Sequence, residues 1–388
     1  MRILEIDGLR AIAMTMVIAQ HCDLLPFGWT GVWLFFAISG YVITRGFLVA
    51  GDSGRDAWER FGDFMLRRFF RIVPVYVAYV AVNAAILIVL SGFTRLGDLP
   101  YLLTFTFNWH MIFGFWPGSS NWSPFGHLWT LSVEEQFYLF FPLIALFTPA
   151  RARLPISLAL IVAGPLVRYV YVGTISGLEG DAGWRAFAVY AASICHFDAF
   201  LMGSLVARFE PRIRAMPWIS DALWVAATTC GIIYVVTYVQ INRSLGASGI
   251  DAVRNVLSGI LYGQQREVFG YVVVDLLASA ALVHAILRRQ LSRLLSSPTV
   301  TLVGRVSYGG YLFHPLAIWL MNFALATKAK DLPIGPRLLF FAAAWALTVT
   351  AAYASFRWFE TPIAQWGRRL RRHRPAEPTL EIQSARRA

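Results

Sequence analysis

Charge is the scarcest property of this chain. Only 14% of its 388 residues are charged, against roughly one quarter in an average soluble protein. So few charged groups cannot cover a globular surface, and the chain is 57% hydrophobic with a mean hydropathy of +0.56. Disordered, collagenous and coiled-coil chains are excluded by the same figures, because each needs a polar or repetitive composition. Lysine is nearly missing: 32 of the 34 basic residues are arginine, set in short clusters between apolar runs. The formal charge of +12 therefore suits loops that obey the positive-inside rule better than a groove for nucleic acid. Cysteine is scarce as well. Cys22, Cys195 and Cys230 are odd in number and far apart, so neither a disulfide framework nor a zinc site is indicated. Phosphate loops, dinucleotide fingerprints and His-x-x-x-His spacings are also missing, and no metal is expected. What the chain has in abundance is long apolar runs.

A helix needs roughly 20 apolar residues to cross a hydrocarbon core of about 30 Å. That ruler gives an all-α, polytopic membrane protein of about ten transmembrane helices. They lie near 7–24, 29–50, 72–92, 127–148, 154–172, 186–208, 218–239, 268–287, 304–326 and 337–359. The first carries Asp7, Arg10 and His21 and no cleavage site, so it reads as a span and not as a signal peptide. Residues 98–115 are apolar but short and bounded by Pro100 and Pro117, and are expected to form a re-entrant or interfacial segment. With ten spans, most arginines fall on one side at every crossing, the tail run WGRRLRRHR included. Both termini are therefore expected in the cytoplasm. Residues 1–367 then form a single membrane-embedded domain, and 368–388 a basic, disordered tail.

An ionisable side chain inside a span costs about 2.5–3.5 kcal/mol on insertion scales and marks function by default. His21 lies about 21 Å of helix rise beyond Asp7, deep in the first span. It either performs chemistry or hydrogen-bonds a neighbouring helix, and the residues weigh the two equally. Asp7 can cap that helix, with Arg10 held at the interface. In FMLRRFFRIVP (64–74), Arg68 and Arg71 are three apart, share a helical face and offer a double guanidinium fork to phosphate oxygens. A positive-inside anchor explains them too, and for membrane proteins in general explains them better. GHLWTLSVEEQFYLFFP (126–142) opens on His127 and sets Glu134 and Glu135 in an apolar stretch. Adjacent helical residues cannot both face one cavity, and a functional carboxylate is somewhat favoured over helix pairing. CHFDAFLMG places His196 and Asp198 in the sixth span, VSYGGYLFHP places His314 before Pro315 in the ninth, and FRWFETP places Glu360 at the end of the tenth. Asp275, His284 and Arg168 stand alone, and helix pairing is the role expected of them.

Taken in order, IDGLRAIAMTMVIAQH, RRFFRIVP, HLWTLSVEEQFYLFFP, FDAFLMG, SYGGYLFHP and WFETP resemble the acyltransferase-3 family over about residues 5 to 365. Members are integral-membrane acyltransferases that move acetyl or other short acyl groups from cytoplasmic acyl-CoA to extracytoplasmic acceptors. The resemblance implies that His21 is catalytic, as general base or as acyl carrier, and that the family's glutamate falls on Glu134 and not Glu135. Glu134 or a nearby polar group would orient the imidazole. Arg68 and Arg71 would hold the phosphates of acyl-CoA, acetyl-CoA above all, with Arg10 beside them; His127, Asp198 and His314 are secondary candidates. The acceptor would be a hydroxyl of a glycan, a glycolipid or a similar molecule, and the setting a bacterial-type inner membrane. The sequence ends too soon for the carboxy-terminal esterase-like domain of some members, and so resembles the stand-alone type. The rival is a proton-coupled secondary transporter or a flippase for a lipid-linked sugar, where buried His, Asp and Glu are equally natural. It predicts two similar halves, and the sequence shows no such repeat.

Overall fold

The computed structural model describes residues 3–51, 55–91, 96–115, 125–178, 180–257, 259–260, 262–287 and 290–372. In chain order the α-helices are α1 (Leu4–His21), α2 (Thr30–Ala50), α3 (Ala57–Ser91), α4 (Leu99–Leu103), α5 (Phe107–His110) and α6 (Trp129–Phe147). They continue with α7 (Ala150–Ser176), α8 (Ala182–Ala191), α9 (Phe197–Ala215), α10 (Trp218–Ser244), α11 (Asp251–Leu257) and α12 (Arg266–Ile286). The last are α13 (Ser292–Leu295), α14 (Pro298–Arg305), α15 (Ser307–Ala324), α16 (Ile334–Ser355) and α17 (Thr361–Arg372). There is no strand among the described residues. The chain is an all-α polytopic membrane protein. Seven helical stretches among the described residues are long and apolar enough to cross a bilayer: Thr30–Ala50, Ala57–Val89, Gly126–Phe147, Ala150–Ser176, Trp218–Ser244, Arg266–Ile286 and Ile334–Leu370.

The three remaining expected spans fall on helices with more polar content. α1 carries Glu5, Asp7 and Arg10, α9 carries Asp198 and Glu210, and α15 carries His314. All three bury much of their length, Glu5, Asp7, Asp198 and His314 included. The stretch expected near 186–208 is broken in two. α8 stops at Ala191, a 3₁₀ turn covers Ser193–Cys195, and α9 starts at Phe197. Asn108 explains how the break is tolerated: its Nδ2 donates to the Ala191 carbonyl at 3.0 Å and to Ser193 Oγ at 2.9 Å. Gln136 of α6 closes the knot, donating to the Phe105 carbonyl and to Asn108 Oδ1 and accepting from Ser193. Irregular backbone at membrane depth survives only where protein satisfies it. The segment 98–115 is correspondingly not one helix. It comprises α4, α5 and a π turn at Met111–Phe115, with Phe105 at a φ of +53° between α4 and α5.

Close helix crossings hold the bundle. A Cβ on Gly40 of α2 would collide with the Phe200 carbonyl of α9, and one on Gly203 of α9 with the Ala37 carbonyl of α2. Small residues on both helices thus bring the two backbones together, and Thr44 donates to Ser204 across the same seam at 2.8 Å. At the arginine-rich end, α17 lies along α3 with Trp366 edge-on to Phe70 at 5.6 Å. Residues 368–372 of the expected tail are therefore helical, while 373–388 lie outside the described residues.

Candidate active site

Three regions run in series from the arginine-rich end of α1 to its histidine end. The outermost is a chamber of about 680 Å³ walled by α1, α2, α3, α15 and α17. Arg10, Arg45, Arg71, Arg305 and Arg368 line it, against the carboxylates of Asp7 and Glu360. Part of this charge is already engaged: Arg10 lies 3.6 Å from Asp7, and Arg45 lies 3.2 Å from Glu210. An adjoining cavity of about 300 Å³ shares Arg71 and adds Arg55, Arg60, Arg67 and Arg68, with Asp63. Positive side chains dominate both. A polyanion carrying phosphates fits such a surface, because planar guanidinium forks bind phosphate oxygens two at a time.

A narrow inner pocket of about 70 Å³ follows, sharing Arg10, Arg71 and Tyr308 with the chamber. Here the structure brings together Arg10, Arg68, Arg71 and Glu134, all singled out from the sequence. The guanidinium of Arg68 lies over the rings of Tyr138 at 4.6 Å and Phe64 at 5.5 Å, a cation–π arrangement that fixes its direction. Glu134 accepts hydrogen bonds from Ser39 of α2, at 2.5 Å, and from Tyr138 one turn along α6. Glu135 is not among the residues of this pocket, as adjacency on a helix requires. Glu134 therefore anchors the inner pocket. The ring packed against that of His21 is His314 of α15.

The third region is a group of three imidazoles. The ring of His21, at the end of α1, stands 5.0 Å from that of His314 in α15, and His314 stands 5.3 Å from His127. His21 is exposed while His127 and His314 are buried. Tyr311 joins this group to the inner pocket: it lines the pocket, its hydroxyl bonds Thr130 Oγ1 at 2.7 Å, and its ring lies 5.4 Å from His314. Among the described residues no group of three or more His, Cys, Asp or Glu is placed to hold a metal ion.

Asp198 does not join the site. It pairs with Arg168 at 2.7 Å, both side chains buried, and Arg168 also donates to the Cys195 carbonyl. His196 likewise belongs to the core, its Nε2 near the Val189 and Tyr190 carbonyls and its ring edge-on to Trp33 at 4.8 Å. Tyr138 and Tyr311 are not among the residues expected from the sequence. Their spacing carried a signal: Tyr138 is four residues after Glu134, and Tyr311 three before His314, so each shares a helical face with its partner. Arg305 and Arg368 line the chamber as well, and nothing local in the sequence marks them as chamber residues.

Fold and site together define a helical membrane protein in which an arginine-lined chamber adjoins a narrow inner pocket, and Tyr311 links that pocket to a cluster of histidines. The chain belongs to the acyltransferase-3 family: the pattern of that acyltransferase domain matches residues 3–357. It is 29% identical over 380 residues to the peptidoglycan O-acetyltransferase OatA of Listeria monocytogenes, covering 94% of this chain and 56% of the relative. The O-acetyltransferase OatA of Staphylococcus aureus is 25% identical over 379 residues, with 93% and 57% covered. A putative O-acetyltransferase from another strain of that species is 25% identical over 394 residues, with 96% and 59% covered. The chain thus spans less than three fifths of the length of these relatives. No solved structure matches it.

Proposed function

We propose that this protein is a membrane O-acyltransferase that carries an acetyl or other short acyl group from acyl-CoA to a hydroxyl of an envelope glycan. The carrying observation is the order of the three regions: chamber, inner pocket, histidines. The phosphates of acyl-CoA occupy the chamber on the cytoplasmic side, held by Arg71 with Arg10 and Arg68 at its inner edge. The pantetheine arm is uncharged and thin, which suits a pocket of about 70 Å³. Its thioester then lies towards His21, which the acceptor reaches from the opposite face. Relatives named as peptidoglycan and other O-acetyltransferases support a glycan acceptor and an acetyl donor.

In the reaction, one nitrogen of His21 takes the proton of the acceptor hydroxyl as its oxygen attacks the thioester carbonyl. The tetrahedral intermediate collapses with cleavage of the carbon–sulfur bond. The departing thiolate receives the same proton from the imidazolium, so His21 ends unchanged and the products are the ester and CoA thiol. Glu134 acts one step away, holding Tyr138 and through it the face on which Arg68 rests.

The test uses protein in lipid nanodiscs with acetyl-CoA and soluble peptidoglycan fragments, followed by thiol release and mass spectrometry of the glycan. Acetylated glycan is expected from the parent. His21→Ala should bind acetyl-CoA and lose about 10²–10⁴-fold in turnover, the contribution of a general base. Near-parental turnover by that variant would remove His21 from the chemistry, and a mass increase of one acetyl group on His21 would replace direct attack by an acyl-histidine.

A further inference from the structure

A general base must present a bare nitrogen to its substrate, and no feature of α1 decides which nitrogen of His21 that is. α15 carries the device. Pro315 has no N–H, so the Tyr311 carbonyl, four residues earlier, loses its partner in the helical ladder. His314 Nδ1 lies 2.6 Å from that carbonyl oxygen. A carbonyl only accepts, so Nδ1 carries the proton and Nε2 a lone pair. That Nε2 is buried and has no hydrogen-bond partner among the described residues. His127 repeats the pattern behind it: Nε2 lies 3.1 Å from the Leu312 carbonyl, and Nδ1 is buried without a partner. The backbone of α15 thus sets both tautomers and leaves two bare nitrogens in the cluster. A buried acceptor without a donor is costly, and the ring nearest to that of His314 on α1 is His21, at 5.0 Å. The two rings are not bonded in this rotamer; with the centroids 5.0 Å apart, a turn of the exposed His21 ring brings one of its nitrogens to that lone pair.

We propose that His314 is the positioning residue for His21: its Nε2 accepts the N–H of one His21 nitrogen and leaves the other bare for the acceptor hydroxyl. His314 touches no substrate. When His21 takes the hydroxyl proton, the N–H shared with His314 stays where it is, and the new proton passes on to the thiolate. The inference rests on the acyl-transfer reading above and supplies the part that reading leaves open.

Three substitutions separate positioning from support of the helix. His314→Asn keeps a donor near the Nδ1 position and can satisfy the Tyr311 carbonyl, but has no acceptor at the tip. His314→Gln reaches the Nε2 position with an amide oxygen, a permanent acceptor. His314→Ala has neither. Gln should retain turnover within about tenfold of the parent, while Asn and Ala lose about 10²-fold or more in kcat with KM for acetyl-CoA unchanged. The second measurement is nitrogen NMR of ¹⁵N-histidine-labelled protein in nanodiscs. His314 should appear as the Nδ1–H tautomer, and its Nε2 resonance should move when His21 is replaced by Ala. Rescue by Asn and not by Gln, or an Nε2 resonance that ignores His21→Ala, overturns the proposal and makes His314 a cap for the break at Pro315. Near-parental turnover by His21→Ala would overturn the acyl-transfer reading and this proposal with it. An inactive His21→Ala beside a fully active His314→Asn overturns this proposal alone.

Discussion

At the scale of the single residue, the site depends on side chains whose geometry matters more than their charge. Arg71 lines the chamber, the inner pocket and the adjoining cavity at once. A lysine there keeps the charge and loses the fork. Arg71→Lys should weaken acetyl-CoA binding by about tenfold or more, the loss of one charge-assisted hydrogen bond, measured by calorimetry in nanodiscs. Equal affinity in Arg71→Lys and Arg68→Lys would reduce the pair to a topology anchor. Asp198 makes the contrasting case. Its partner Arg168 is fully buried, and Asp198→Ala would remove the 2.7 Å ion pair and leave Asp275, beyond ion-pair distance, as the carboxylate nearby. A loss of about 3–5 kcal/mol in stability is expected, read as a lower thermal midpoint, with acetyl-CoA affinity of the folded fraction unchanged. Much of this scale was legible beforehand. His21, Arg68, Arg71, Glu134 and His314 stood out because ionisable groups in apolar runs are costly. Asp198 stood out for the same reason, and the structure pairs it with Arg168 of α7, since cost alone does not say which helix holds the partner. Tyr138 and Tyr311 raised no alarm, because aromatic residues in a membrane helix are ordinary.

At the scale of the element, the seam between α2 and α9 positions Ser39 and hence Glu134. Gly203→Val would push the α2 backbone away, with an expected cost of about 1–3 kcal/mol and a lower detergent melting temperature. An unchanged melting temperature would mean that the two helices are not in contact at this seam. The helices themselves were readable from apolar length, and α2, α7, α10 and α12 follow the expected spans closely. The sixth span was not read correctly. Its residues are apolar on both sides of Ala192, and the break is stabilised by Asn108 and Gln136, more than fifty residues away in sequence. Only folding shows that pairing. The irregular path of 98–115 has the same origin, and there the flanking prolines did give warning.

At the scale of the whole molecule, the arginine-rich chamber lies at the end of the bundle that the sequence pattern expects to be cytoplasmic. Nine of the arginines on the side expected to be cytoplasmic also line the chamber, the inner pocket or the adjoining cavity. In a background without Cys230, an impermeant thiol reagent outside intact cells should label Ser248→Cys and leave Asp56→Cys unlabelled. Labelling of position 56 from outside would invert the orientation and move the chamber to the other face. The tertiary arrangement that joins α1, α3, α15 and α17 around the chamber was not legible. Those helices meet through contacts such as Phe70 with Trp366 that no local pattern announces.

A passage that lets a thioester arm reach from one side of a bilayer towards the other is also a hazard, since sodium ions and protons would flow through it down the membrane potential. The inner pocket carries its own safeguard. Arg10, Arg68 and Arg71 surround a space of about 70 Å³ with a single lining carboxylate, Glu134. Fixed cations in a constriction repel mobile ones, the device by which narrow pores exclude protons. On the acyl-transfer reading proposed above, the guanidinium groups that would attract the donor's phosphates would also hold mobile cations back at this constriction.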